Sequence, residues 1–91
     1  MSDKRIIIQY TIPRYQTEFT KEMPEEFEIL SLQIYAADPT LWILADPDSP
    51  KVTRHFRTVS NDQKMDLNFI GGSKYIGTIL GTYITHLFLE C

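Results

Sequence analysis

The sequence predicts an all-β domain, a small antiparallel β-sandwich or open barrel of about seven short strands. Three observations lead there. Ile, Val and Thr together number 22, the aromatics add 11, and alanine contributes three. Branched and aromatic side chains suit a pleated surface and lose rotamer freedom in a helix. Apolar residues recur with period two along most of the chain, and clusters of Pro, Asp and Gly interrupt them at short intervals. Ninety-one residues bound the chain to one domain over 1–91, with room for a single compact core.

The first strand spans Lys4 to Ile12, where Ile6, Ile8, Tyr10 and Ile12 alternate with Arg5, Ile7, Gln9 and Thr11; Pro13, with no amide to donate, ends it. From Glu18 to Met23, Phe19, Lys21 and Met23 alternate with Glu18, Thr20 and Glu22, and Pro24-Glu25-Glu26 turns the chain. Glu28 to Tyr35 sets Leu30, Leu32 and Ile34 against Ser31, Gln33 and Tyr35, with Asp38-Pro39 as the break. The apolar run Leu41 to Ala45 predicts a central strand covered on both faces, with Trp42 in the core. Asp46-Pro47-Asp48-Ser49-Pro50 is dense turn chemistry, and Val52 to Ser60 resumes the alternation as the second arm of a hairpin. Asn61 to Lys74 has no period and predicts a loop or a helical turn around Gln63–Phe69. Tyr75 to Leu80 and Tyr83 to Leu89 form a closing hairpin, with Gly81-Thr82 as a type II′ connection.

Net charge is −3 and the isoelectric point lies near 5.2, so nucleic acid would meet an unfavourable overall field and is not the expected partner. The only cysteine is the terminal Cys91, which excludes an intramolecular disulfide and suits a reducing, cytoplasmic setting. No apolar run approaches the roughly 20 residues that cross a bilayer, and the three isoleucines after Arg5 are too few for a signal-peptide core. The expectation is a protein without membrane attachment.

Catalytic signatures fail one after another. Two-histidine phosphoesterases need Ser or Thr two residues after each histidine, and His55 and His86 are followed there by Arg57 and Phe88. Gly71-Gly72-Ser73-Lys74 lacks the order of a Walker loop and leads into a strand. Asp46, Asp48, Asp62 and Asp66 do not make a calcium loop, and no Cys/His spacing suits zinc. No serine sits in a nucleophile elbow. The expectation is a protein that is not an enzyme, with no cofactor and no metal.

Binding candidates remain. Arg54 shares a strand face with Val52 and Phe56, while His55 and Arg57 share the other, about 6.5–7 Å apart, a spacing that straddles a phosphate. The competing reading pairs this basic stripe with the acidic residues Glu18, Glu22, Glu25, Glu26 and Glu28. Lys74 and the neighbouring glycine amides offer a further anion contact. Tyr35, on the polar face of its strand, is the candidate for stacking a base, with Gln33 or His55 reading a polar edge. His86, between Ile84 and Phe88, reads as a core histidine with one satisfied nitrogen. Apolar residues on two faces, Ile76, Ile79, Ile84 and Leu87, point to a homo-oligomer.

The run Glu28-Ile29-Leu30-Ser31-Leu32-Gln33-Ile34, then Leu41-Trp42-Ile43-Leu44-Ala45-Asp46-Pro47-Asp48, Arg54-His55-Phe56-Arg57, Tyr75-Ile76-Gly77-Thr78 and His86-Leu87-Phe88-Leu89-Glu90, resembles a family of short phage-encoded proteins known only as a domain of unknown function. The likeness runs from Arg5 onward. The chain departs from it at Ser60-Asn61-Asp62-Gln63, where relatives carry a Gly-Thr-Gly-His-type segment, and at Thr85, where they carry an aromatic. The resemblance implies an accessory protein acting in the host cytoplasm. Two functions are expected on that footing. One is sequestration, without cleavage, of a small anionic nucleotide-like signal by Arg54, Arg57, His55, Lys74, Tyr35 and Gln33, in a pocket at a homo-oligomer interface. The alternative is inhibition of a host protein docked through an exposed sheet edge or the acidic stretch.

Overall fold

The computed structural model describes residues 3–13, 16–81 and 84–90. Among these residues, seven strands occur in the order β1 (Ile6–Thr11), β2 (Glu18–Pro24), β3 (Phe27–Tyr35), β4 (Asp38–Ala45), β5 (Lys51–Ser60), β6 (Ser73–Leu80) and β7 (Ile84–Glu90), with a single short helix, α1 (Leu67–Gly71), before β6. They form two antiparallel sheets, β1-β4-β3 and β2-β5-β7-β6. The molecule is an open sandwich, not a closed barrel. It is 17 Å across its shortest dimension, which leaves room for two sheets roughly 10 Å apart and no third layer.

Period-two alternation aims one row of each strand at the interior. Leu41, Ile43 and Ala45 of β4 face Phe19 and Met23 of β2, Phe56 of β5, and Leu87 and Leu89 of β7. The Phe19 and Phe56 rings lie parallel, 5.2 Å between centroids, because the register sets the two residues opposite each other. Ile8 and Tyr10 line the margin of this core, and burial pushes the Tyr10 phenol above its ordinary pKa of 10.0. The sandwich closes where β3 meets β6: a Cβ on Gly77 would come within 3.3 Å of Leu32 Cδ2.

β4 is the central strand of its sheet, as expected; its inner row Leu41, Ile43 and Ala45 is fully buried, while its outer row runs from the buried Thr40 to the half-buried Trp42 and Leu44. Trp42 sits half-buried on the outer face, edge-on to Tyr35, not in the core.

The expected hairpin between Leu41–Ala45 and Val52–Ser60 does not form; β4 and β5 belong to different sheets. Residues 46–50 cross between the layers instead. The buried Asp46 accepts from the Asp48 amide through Oδ1 (2.9 Å) and from the Ser49 amide through its carbonyl (3.1 Å). This crossover lies beside the β2–β3 crossover: Glu25 N donates to Pro50 O (2.7 Å), Glu26 N to Ser49 Oγ (3.0 Å) and Asp46 N to Glu26 O (3.3 Å). Asp/Pro turn chemistry serves a hairpin or a change of sheet equally well, so local composition does not separate them.

A second difference lies at β3–β4. Asp38 and Pro39 open β4, and the reversal occurs at Ala36 and Ala37, whose φ angles are +51° and +71°. Two consecutive left-handed residues match the twist of a two-residue hairpin, though alanine gives no sign of it in sequence. α1 falls inside the aperiodic stretch and ends where the Gly72 amide bonds Asn68 O (3.1 Å). The Gly81-Thr82 connection extends, with Tyr83, outside the described residues, as does Cys91.

Replacing Ala36-Ala37 by Asn-Gly is expected to raise stability by about 1–2 kcal/mol, read as a higher urea midpoint at unchanged slope. In the opposite direction, Asp46→Ala is expected to cost about 1–3 kcal/mol by stranding the Asp48 amide, and Asp46→Asn, which keeps the acceptor, appreciably less.

Candidate functional site

The richest cluster of polar and aromatic side chains lies on the outer face of the four-stranded sheet. Because Phe56 takes the core position, His55, Arg57 and Val59 project outward from β5. The register then sets Glu18 and Phe88 beside Arg57, His86 beside Val59, and Thr78 beside His86. Residues 61–72 cross this face as a strap. Phe69 packs edge-on against Phe88, centroids 5.3 Å apart, and the Arg57 guanidinium lies 4.4 Å over the Phe69 ring. Phe88 is also edge-on to Tyr75 at 5.2 Å.

Arg57 is held on two sides. It pairs closely with Glu18 and, at 3.4 Å, with Glu90, while its Nε is buried without an acceptor. One cation among two carboxylates leaves the cluster net negative, which disfavours a phosphate there.

His86 anchors the strap's beginning. Its Nε2 donates to Asn61 Oδ1 at 2.7 Å. The hydroxyls of Tyr75 and Thr78 stand 3.1 and 3.2 Å from Nδ1 and 2.5 Å from each other. With both ring nitrogens engaged, His86 is an outer-face clip joining strap, β6 and β7, not the core histidine expected.

The six expected ligand residues do not come together within one chain. Arg57 and His55 lie on the outer face of the four-stranded sheet, His55 exposed beside Thr20. Arg54 lies on the opposite face, its guanidinium 5.7 Å over the Phe27 ring and its Nη2 donating to Glu25 O (3.2 Å). Lys74 is exposed at the start of β6. Tyr35 and Gln33 belong to the other sheet, where Tyr35 meets Trp42 and Gln33 Nε2 donates to Ser31 Oγ (2.9 Å). Of the acidic residues offered as the stripe's alternative partners, Glu18 holds Arg57 and Glu25 accepts from Arg54 through its carbonyl.

Sequence reasoning missed Asn61, Phe69, Thr78 and Glu90, and did not join Tyr75 to His86. A register shift between Tyr75 and Gly77 brings Tyr75 and Thr78 to the same histidine, and strict period-two counting puts them on opposite faces.

The sheet edges differ sharply from one another. β3 carries a register shift between Ile29 and Ser31, β6 carries its own, and the two edges face each other across the sandwich. β2 bears Glu18, Lys21 and Glu22 and ends in Pro24. Bulges, charges and proline are the usual guards of an edge. β1, IIIQYT, has none of them, and Ile6 and Ile7 are 44% and 65% exposed. Its hydrogen-bonding phase follows from Ile12 N donating to Pro39 O at 2.9 Å. That bond continues the β1–β4 register, so the even residues of β1 bond β4. The amides and carbonyls of Ile7, Gln9 and Thr11 therefore point away from the sheet, where among the described residues no strand pairs with them.

Among the described residues, no three His, Cys, Asp or Glu side chains are grouped to hold a metal ion, and no helix is long and apolar enough to cross a membrane. The family described as a domain of unknown function (DUF7352) matches residues 3–91, and the chain belongs to that family. No curated protein and no solved structure matches the chain.

Phe69→Ala is expected to release the strap, costing about 1–2 kcal/mol through the lost ring contacts. Limited proteolysis should then cut within residues 61–72 much faster than in the unsubstituted protein, with the strand content unchanged by circular dichroism. Equal cutting rates would show that the ring does not hold the strap.

Proposed function

We propose that this protein acts by binding and not by chemistry, and that its binding element is the open edge of β1, which takes an extended strand of a protein partner. The observation that carries the reading is that, among the described residues, β1 alone of the four edge strands has no bulge, no charged side chain and no proline. An added strand gains affinity from main-chain hydrogen bonds to Ile7, Gln9 and Thr11, and specificity from side chains beside Ile6 and Ile7. In the phage setting that the resemblance implies, the partner is a host protein met in the host cytoplasm, and the protein inhibits by occupying its strand.

Sequestration of a nucleotide-like ligand has less support. Arg57 is neutralised by Glu18 and Glu90, Arg54 faces the other way over Phe27, and Tyr35 and Gln33 lie on the other sheet. A shared pocket for these residues would require more than one chain.

The test is affinity capture with the full chain, comparing the unsubstituted protein, Gln9→Pro and Tyr35→Ala. The Gln9 amide points outward, so proline there removes an edge donor without breaking a bond to β4. Capture of the same partner by the unsubstituted protein and Tyr35→Ala, with its loss in Gln9→Pro, is the expected result. Capture indifferent to Gln9→Pro would overturn the edge. Tight retention of a cyclic nucleotide or ADP-ribose derivative, weakened by a few kcal/mol in Arg57→Ala, would restore the ligand reading.

A further inference from the structure

We infer that β1 also pairs with β1 of a second copy, antiparallel about a two-fold axis through Gln9, merging two three-stranded sheets into one of six strands. The inference rests on the reading of β1 as an open edge and names an occupant for it. Two constraints fix the register. Directly opposed residues in an antiparallel pair share a face, so inner rows meet only if the paired numbers have the same parity. That puts the axis through a residue and not between two.

The groups free to bond belong to Ile7, Gln9 and Thr11. With the axis on Gln9, Gln9 meets Gln9 of the second copy, and Ile7 and Thr11 meet Thr11 and Ile7. All three outward residues are then bonded without drawing on residues beyond β1.

The side chains agree with this register. On the core side Ile8 falls opposite Tyr10 of the second copy, and both belong to the partly buried margin of the core, so two cores become continuous. On the outer side the exposed Ile7 lies against the Thr11 methyl, and the two Gln9 amides stand where each can donate to the other. β1 carries no charge, so pairing with itself opposes no like charges. β2, with Glu18, Lys21 and Glu22, would set Lys21 against itself if paired about its own centre. A single strand edge is a small interface, so the pairing is a concentration-dependent equilibrium that a partner's strand competes with for the same edge.

Sedimentation velocity between about 10 μM and 1 mM reads the equilibrium directly. The mass is expected to rise from 10.6 kDa toward twice that value in the unsubstituted protein and in Tyr35→Ala. Gln9→Pro and, as a milder variant, Ile7→Lys should stay monomeric, with folding checked by circular dichroism. In a Cys91→Ser background, Gln9→Cys should cross-link to a covalent dimer under mild oxidation, because a hydrogen-bonded pair on the axis brings the two Cα atoms to about 5.5 Å. Glu22→Cys should not. A protein monomeric at every concentration, or a dimer unaffected by Gln9→Pro, overturns the self-pairing. If the mass stays monomeric while Gln9→Pro still abolishes partner capture, the self-pairing falls and the open-edge reading stands; if neither property responds to Gln9→Pro, both fall.

Discussion

One layer of apolar side chains, shared by the inner faces of two sheets, is the constraint on which the rest of this structure depends. Each strand contributes only every second residue to it. A molecule 17 Å thick therefore has a single interior, centred on the stacked Phe19 and Phe56 rings and the row Leu41, Ile43, Ala45. Everything outside that layer is stabilised by other means. The two crossovers bond to each other through Asp46, Ser49, Pro50 and Glu25–Glu26. On the outer face of the larger sheet, a strap is fastened at one end by His86 and along its length by Phe69.

The arginines illustrate how much of the surface chemistry is spoken for. Arg54 and Arg57 lie three residues apart on one strand and so face opposite ways. Each fastens the sheet to a different piece of chain, Arg54 to the β2–β3 crossover and Arg57 to β2, β7 and the strap. Cations that look available for an anion in the sequence serve structural contacts in the fold. Among the described residues, the unguarded main-chain hydrogen bonding lies along β1.

Much of the architecture was legible in the residues. Alternation, with one continuous apolar run for β4, placed all seven strands near their observed bounds and identified the β6–β7 pair, while the stretch read as irregular, 61–74, took in the first two residues of β6. The β3–β4 turn was not legible, because two alanines at positive φ resemble no turn composition. Nor was the separation of β4 from β5, since Asp46–Pro50 would suit either topology and only long-range hydrogen bonds to Glu25 and Glu26 decide it. The outer-face cluster was half legible. Arg57 and His86 stood out by type, but their partners Asn61, Phe69 and Tyr75 are joined to them by a register shift and a strap that no local period encodes.

The partner of β1 is β4, not its neighbour in sequence, and this shapes how the chain comes into being. Translation delivers residues at about 5–20 per second, so the segment Ile6–Thr11 leaves the ribosome seconds before Asp38–Ala45 exists to pair with it. In that interval the most apolar strand edge of the molecule stands unpaired on both sides. Its early life is therefore exposed to chaperones, and to other nascent copies on the same message, before the sandwich that will shelter one of its two edges has been made.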